Sequence, residues 1–205
     1  MQRFLPVFRA LGGVLTLFSL ALLVPLIHSH AVGDGAQEAY DLAFLATFGS
    51  GLLLWMSTHH HRRELQVRDG FLIVVLVWSV LPLFASIPLY VQLDIGFTQA
   101  YFEATSGLTA TGATVLTGLD TLPESINLWR HLIIWLGGMG LIVLAVAILP
   151  MLGIGGRQMF KAEIPSPMKD NKLTPRIAQT AKGLWLVYVG ITSACALAYR
   201  WAGMS

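Results

Sequence analysis

Five apolar segments constrain this chain more than any other feature, because each is long enough to cross a lipid bilayer. A transmembrane helix needs about 20 consecutive apolar residues to span the hydrocarbon core. The 205 residues are 55% hydrophobic and 12% charged, whereas soluble domains carry about 25% charged residues. The composition therefore predicts an all-α integral membrane protein. The predicted spans cover residues 8–27, 42–58, 71–90, 128–152 and 177–201.

The charged residues divide between the connections that join these spans. Ten of the 13 Lys and Arg residues lie in the N-terminal segment and in the connections 59–70 and 153–176. Seven of the 11 acidic residues lie in the connections 28–41 and 91–127. The positive-inside rule places the basic connections in the cytoplasm and the acidic ones outside. The N-terminus is therefore predicted to be cytoplasmic.

Prolines, tryptophans and the first segment refine this picture. Pro82 and Pro88 lie in the third span and predict a kink or a helix end there. Most tryptophans, among them Trp129, lie near segment ends and are interpreted as interfacial anchors. The first segment follows basic residues, as in a signal peptide, but it is long for one, so we expect it to be retained. Cys195 is the single cysteine, which excludes an intrachain disulfide.

The connection 91–127 contains the most unusual stretch of the chain. Residues 98–104 suffice for only two or three helical turns, and the sequence TSGLTATGAT follows at residues 105–114. Irregular backbone at membrane depth is tolerated only where it is buried in protein or lines a watery cavity. The pattern therefore predicts a re-entrant hairpin whose carbonyl oxygens face an ion path. An ordinary external loop rich in serine, threonine and glycine is the alternative.

The centre of this stretch is the candidate ion-binding site. Backbone carbonyls replace the water that a potassium ion loses without adding a fixed negative charge. Gly112 is suited to the unusual backbone angles that turn successive carbonyls to one side. We predict that K⁺ binds to the backbone carbonyls of a four-residue selectivity filter, with Thr111 and Gly112 as the candidate metal ligands. The four filter residues are Thr109, Ala110, Thr111 and Gly112.

Two stretches resemble a known family. Residues 102–114, FEATSGLTATGAT, look like the first pore loop of the Trk/Ktr/HKT potassium transporters. Residues 129–140, WRHLIIWLGGMG, are similar to the helix that follows this loop in bacterial TrkH proteins. Two extra helices before the first membrane–pore–membrane unit also fit TrkH better than KtrB. The resemblance covers nearly the whole chain.

The resemblance implies potassium uptake across the inner membrane by four such units around one pore, related by pseudo-fourfold symmetry. The chain would hold two N-terminal transmembrane helices (1–66) and one membrane–pore–membrane unit (67–156). A cytoplasmic connection and the first helix of a second, incomplete unit would follow (157–205). We therefore expect a chain truncated relative to a functional transporter. The resemblance also implies a homodimer at full length and a cytoplasmic nucleotide-binding regulatory subunit as partner.

Charged residues near the predicted loop have less specific interpretations. A carboxylate near membrane depth is usually functional, and for Glu103 we predict structural or electrostatic support of the loop over direct ion ligation. Arg130 and His131, at the outer start of the fourth span, are expected to mark the interface or to pair with Asp120 or Glu124.

No residue pattern indicates catalysis, so we predict no enzyme activity, no cofactor apart from the transported ion, and no nucleic-acid partner. The sequence GGMG at residues 137–140 lies inside a span and predicts close helix packing. His59-His60-His61 is interpreted as a solvated cytoplasmic turn. Two alternatives stay open: a carrier whose broken helices bind another solute at the midplane, and a non-transporting membrane scaffold.

Overall fold

The computed structural model describes the backbone of residues 4–58, 67–148 and 173–203. This part of the chain is helical and contains no strand, which confirms the predicted all-α class. The His59-His60-His61 turn and residues 153–172 of the second basic connection lie outside the described residues. The helices are α1 (Leu5–Val32), α2 (Gln37–Ser57), α3 (Val67–Ala85), α4 (Ile87–Gln92), α5 (Phe97–Leu108), α6 (Glu124–Ile148) and α7 (Leu173–Trp201).

Five helical segments among the described residues are long and apolar enough to cross a membrane. The first four each coincide with a predicted span and extend beyond it on at least one side, whereas the fifth lies within the predicted span 177–201. The extension has a simple cause, because hydropathy locates the hydrocarbon-crossing part while helical hydrogen bonding continues into the polar flanks. The segments are Leu5–Val32, Gln37–Ser57, Arg68–Gln92, Glu124–Leu144 and Gln179–Trp201.

Met1–Gly138 and Met139–Ser205 form two separate compact units. In the first unit α1 and α2 pack closely because glycine lies at their crossing. A Cβ atom added to Gly12 would lie 2.8 Å from the Gly51 carbonyl oxygen, and one added to Gly51 would lie 2.7 Å from the Thr16 amide nitrogen. Small residues allow helix backbones in membranes to approach in this way. In the second unit most of the described side chains of α7 are exposed.

The third span breaks where its prolines predict. Pro82 lies inside α3, which ends at Ala85, and Pro88 lies in the first turn of α4. The Ser86 N–H group still donates to the Pro82 carbonyl oxygen at 2.9 Å. The helix is therefore interrupted only locally, and the Ser86 N–H group keeps a hydrogen-bond partner.

The α1–α2 turn, the end of α3 and the start of α6 meet at one end of the first unit. The Ser125 N–H group donates to Asp34 Oδ2 at 2.9 Å, and the Ser125 carbonyl accepts from the Tyr40 hydroxyl at 2.8 Å. Trp129 is fully buried and its Nε1 donates to the Ala85 carbonyl at 2.9 Å. The interpretation of Trp129 as an interfacial anchor is therefore wrong. The segment between α4 and α6 begins and ends at this same end of the first unit.

Asp34 is the acceptor that fixes this junction. Partial burial by itself raises the pKa of the carboxyl group, but hydrogen bonding outweighs it and lowers the pKa from 3.8 to about 2. The groups that donate to Asp34 are the Ser29 hydroxyl and the backbone N–H groups of Ser125 and Ala36. The ionised carboxylate thus takes the place of an N-terminal capping residue for α6, supplied from another helix connection.

Candidate ion-binding loop

The short helix α5 carries the loop to its position. Its 12 residues span about 18 Å, well short of the roughly 30 Å of a bilayer core. The Gln99 side chain accepts a hydrogen bond from the Gly96 N–H group at 2.9 Å and caps the helix start. Ala100 and Ala104, one turn apart, are fully buried against the first unit's core. Small residues on this face allow α5 to lie close to its neighbours.

The end of α5 lies deep along α6. A Cβ atom on Gly137 would come within 2.1 Å of the Leu108 carbonyl oxygen, so the two backbones touch. Gly137 is 13 residues beyond Glu124, which is about 20 Å along a helix. The chain then returns toward the start of α6, where Asn127 Nδ2 donates to the Leu119 carbonyl at 2.8 Å. The predicted re-entrant hairpin is therefore present.

The loop begins with a tight helix cap. The Ala110 N–H group donates to the Gly107 carbonyl and the Thr111 N–H group donates to the Ser106 carbonyl, both at 2.9 Å. This pair of bonds is the Schellman arrangement, which needs a left-handed residue just beyond the helix. Ala110 takes that conformation with φ +53°, although left-handed backbone costs a non-glycine residue about 1–2 kcal/mol. Sequence reasoning assigned unusual backbone to Gly112 and missed Ala110.

The four predicted filter residues share one property. Among the described residues, the carbonyl oxygens of residues 109–112 accept no hydrogen bond. The next carbonyl, that of Ala113, accepts one from the Ser106 hydroxyl at 2.7 Å. Gly112 has φ +73°, and an added Cβ atom would meet nothing within 4 Å. The constraint on Gly112 is therefore backbone conformation and not space.

The threonine hydroxyls of the loop bind within it. Thr109 Oγ1 lies 2.8 Å from the Thr105 carbonyl oxygen and 2.8 Å from Thr111 Oγ1. A hydroxyl group has one proton to donate and two lone pairs to accept with, so these contacts occupy much of its capacity. The two side chains thus stabilise the loop, and neither hydroxyl donates to a backbone carbonyl of residues 109–112.

The Glu103 side chain binds the loop just beyond the four predicted filter residues. Its side chain is 4% exposed, and Oε1 accepts from Thr114 Oγ1 at 2.6 Å and from the Val115 N–H group at 2.5 Å. Its other oxygen, Oε2, lies 3.5 Å from Nε of Arg130, whose side chain is 13% exposed. These contacts agree with the predicted support role. No hydrogen bond forms through Arg130 Nε within the described residues, so this contact is an ion pair only.

The expected partners of Arg130 were wrong. Arg130 pairs with Glu103 instead of Asp120 or Glu124, and the Glu124 carboxylate lies 3.4 Å from Nε2 of His28. The pairing depends on α5 docking along α6, which brings together residues 27 positions apart. A signal was nevertheless present, because a lone acid and a lone base inside apolar segments are both costly unless they pair. His131 Nδ1 lies 2.7 Å from the Asn127 carbonyl oxygen.

Comparison with known proteins decides the family. The family model of the TrkH cation transport proteins matches residues 36–204. The chain belongs to this family. The resemblance found in the pore loop and the following helix is thereby confirmed, and so is the prediction of a multi-pass membrane protein that is not an enzyme.

Several relatives show how far the similarity extends. The chain is 51% identical to the Trk system potassium uptake protein TrkH of Halomonas elongata, over 97% of this chain and 42% of that protein. It is 48% identical to the proteins of the same name from Vibrio parahaemolyticus and Escherichia coli, over 100% and 99% of this chain and 42% of each relative. The chain thus spans about two fifths of the length of these relatives.

A solved structure has the same fold. The crystal structure of the potassium transporter TrkH from Vibrio parahaemolyticus superposes with a TM-score of 0.82 at 44% sequence identity. The match covers 100% of this chain and 41% of that one. This chain therefore matches a part of that longer protein.

Proposed function

We propose that this chain is the N-terminal part of a potassium uptake transporter of the inner membrane. The carbonyls of residues 109–112, with Thr111 and Gly112 as the central ligands, supply one side of a selectivity filter. The observation that carries the proposal is the set of four consecutive carbonyls that accept no hydrogen bond among the described residues. Residues 110–112 are exposed within this chain. Carbonyl groups at membrane depth that no protein group satisfies need another partner, and a permeating cation supplies one.

Two further features support this function. Left-handed φ angles at Ala110 and Gly112 hold the loop in a shape that few residues adopt at low energy. Relatives that align with nearly the whole chain are named potassium uptake proteins. One loop supplies only part of a ring of carbonyls, so selective conduction requires the further units of a complete transporter.

The remaining properties follow from the charge pattern and the family. The N-terminus lies in the cytoplasm, and the loop is reached from the outer side. The membrane potential drives uptake, contributing about 2.3 kcal/mol per charge for each 100 mV. The complete transporter is a homodimer that docks a nucleotide-binding regulatory subunit on its cytoplasmic surface.

Gly112→Ser tests the proposed filter. The variant is introduced into a transporter in which these 205 residues replace the matching part of TrkH from Vibrio parahaemolyticus. A side chain at φ +73° costs about 1–3 kcal/mol or turns the carbonyl away from the ion. We expect the ratio of potassium to sodium uptake to fall about fivefold or more, measured in competition at matched membrane abundance.

Gly33→Ser is the matched control for this experiment. Gly33 has nearly the same backbone, with φ +70°, and an added Cβ atom there also meets nothing within 4 Å. It caps the end of α1 and lies outside the loop. Equal ratios for both variants and the parent transporter would refute the filter assignment. Uptake of an organic solute without rubidium uptake would favour a carrier instead.

A further inference from the structure

One face of α6 follows the loop from its start to its end. Gly137 touches the Leu108 backbone, Arg130 contacts Thr114, and Asn127 binds the Leu119 carbonyl. Ten residues of α6 separate Gly137 from Asn127, a rise of about 15 Å. Over the same rise the chain passes from residue 108 to residue 119. Helix α6 thus contacts the chain before the filter residues at Leu108, after them at Thr114, and further on at Leu119.

The Thr114 hydroxyl is the most fully used polar group of this contact. It donates to Glu103 Oε1 at 2.6 Å and accepts from the Leu116 N–H group at 3.1 Å and from Arg130 Nη2 at 3.3 Å. One donated and two accepted bonds exhaust what a hydroxyl offers. Thr114 therefore connects the loop backbone to both members of the buried ion pair.

The ion pair gives this connection its rigidity. A buried carboxylate is costly unless it keeps its charged partner and its hydrogen bonds. Loss of the donors Thr114 Oγ1 and the Val115 N–H group would therefore destabilise Glu103. Thr114 and Val115 come directly after Ala113, which itself follows the predicted filter residues 109–112. Because Thr114 is only two residues after Gly112, a displacement of Thr114 would also displace the Gly112 carbonyl.

We propose that Thr114, Glu103 and Arg130 form a brace that positions the outer end of the filter and thereby determines its ion selectivity. Thr114 is a positioning residue, since its hydroxyl acts on the ion only by holding the backbone. The inference rests on the proposed filter at residues 109–112. It assigns selectivity in part to a hydroxyl group outside the ring of carbonyls.

The test uses Thr114→Val, which keeps the shape of the side chain and removes the hydroxyl. Thr114 is exposed within this chain, so the change does not disturb a packed core. In the same hybrid transporter we expect the potassium-to-sodium uptake ratio to fall about fivefold, the effect of losing one typical hydrogen bond. Thr114→Ser restores the hydroxyl and should keep the ratio within about twofold of the parent.

Thr121→Val is the matched control, because among the residues that the structure describes the Thr121 hydroxyl bonds only to the nearby Gly118 carbonyl, at 2.8 Å. If Thr114→Val behaves like this control while Gly112→Ser lowers the ratio, the brace is overturned and the filter stands. If neither Thr114→Val nor Gly112→Ser changes the ratio, both proposals fail. Should Thr114→Val not reach the membrane, Arg130→Lys decides by the same ratio, since it keeps the charge and removes the nitrogen that contacts Thr114.

Discussion

Gly137→Ala is the sharpest test of how α5 and α6 fit together. An added Cβ atom would lie 2.1 Å from the Leu108 carbonyl oxygen, 2.6 Å from its carbon and 2.8 Å from its Cα atom. Real Cβ atoms essentially never approach closer than 3.0 Å. The end of α5 or the middle of α6 must therefore move by about 1 Å. The atoms in the way are backbone, so no side-chain rotation relieves the clash.

The energy of this change can be estimated from two opposing terms. Inserting a methyl group into a packed contact costs about 1–3 kcal/mol, and the largest clashes cost more. Replacing glycine by alanine inside a helix returns up to about 1 kcal/mol. We expect net destabilisation of about 1–2 kcal/mol. Because Leu108 directly precedes Thr109, the shift should also lower the potassium-to-sodium uptake ratio severalfold.

The assay combines thermal unfolding of the purified hybrid transporter with competitive uptake at matched membrane abundance. Gly13→Ala is the control, since Gly13 is also helical and an added Cβ atom there meets nothing within 4 Å. It should leave stability unchanged or raise it. If Gly137→Ala is as stable and as selective as Gly13→Ala, the close approach of α6 to Leu108 is wrong.

Two further predictions concern the outer junction and the topology. Asp34→Asn should lower stability at pH 7 by about 1–2 kcal/mol, reduced from the full value of a charged hydrogen-bond acceptor by partial exposure. Because the folded pKa of about 2 lies below the ordinary 3.8, the stabilisation by Asp34 is complete above pH 4 and disappears as the pH falls through 2. The measurement is the free energy of unfolding of Asp34→Asn and of Asp94→Asn, an exposed control, across this pH range. Identical dependence on pH for the two variants would contradict the role of Asp34. Reporters fused after Arg63 and after Gly33 should report the cytoplasm and the outside respectively, and the reverse pattern would overturn the orientation.

The structure also changes what one substitution can show. Within the sequence alone, Gly137 belongs to a glycine-rich packing segment, which makes its variants a suitable folding control for Gly112. Contact with Leu108 removes that distinction, because Gly137 borders the loop itself. Gly33 is the better control, since it shares the left-handed backbone of Gly112 and none of its neighbours.

The sequence by itself determined the spans, the short helix and the loop, because these depend on local chemistry. A bilayer requires about 20 apolar residues per span, so the five long segments identify themselves. The stretch from Thr105 to Thr114 stands out for the same reason, being polar and flexible between two such segments. Gly112 was assigned its role from the residue type, and its positive φ agrees with that assignment.

Only the tertiary structure decided which distant groups meet. Glu103 and Arg130 pair because α5 folds back along α6, and Asp34 caps α6 from 91 residues away. Trp129 is buried because the end of α3 reaches its indole nitrogen. Ala110 takes a left-handed angle because the Schellman bonds at the end of α5 demand it, although its residue type disfavours it. For Glu103, Asp34 and Trp129 the partner lies outside the local window, so burial and hydrogen bonding were set by docking and not by propensity.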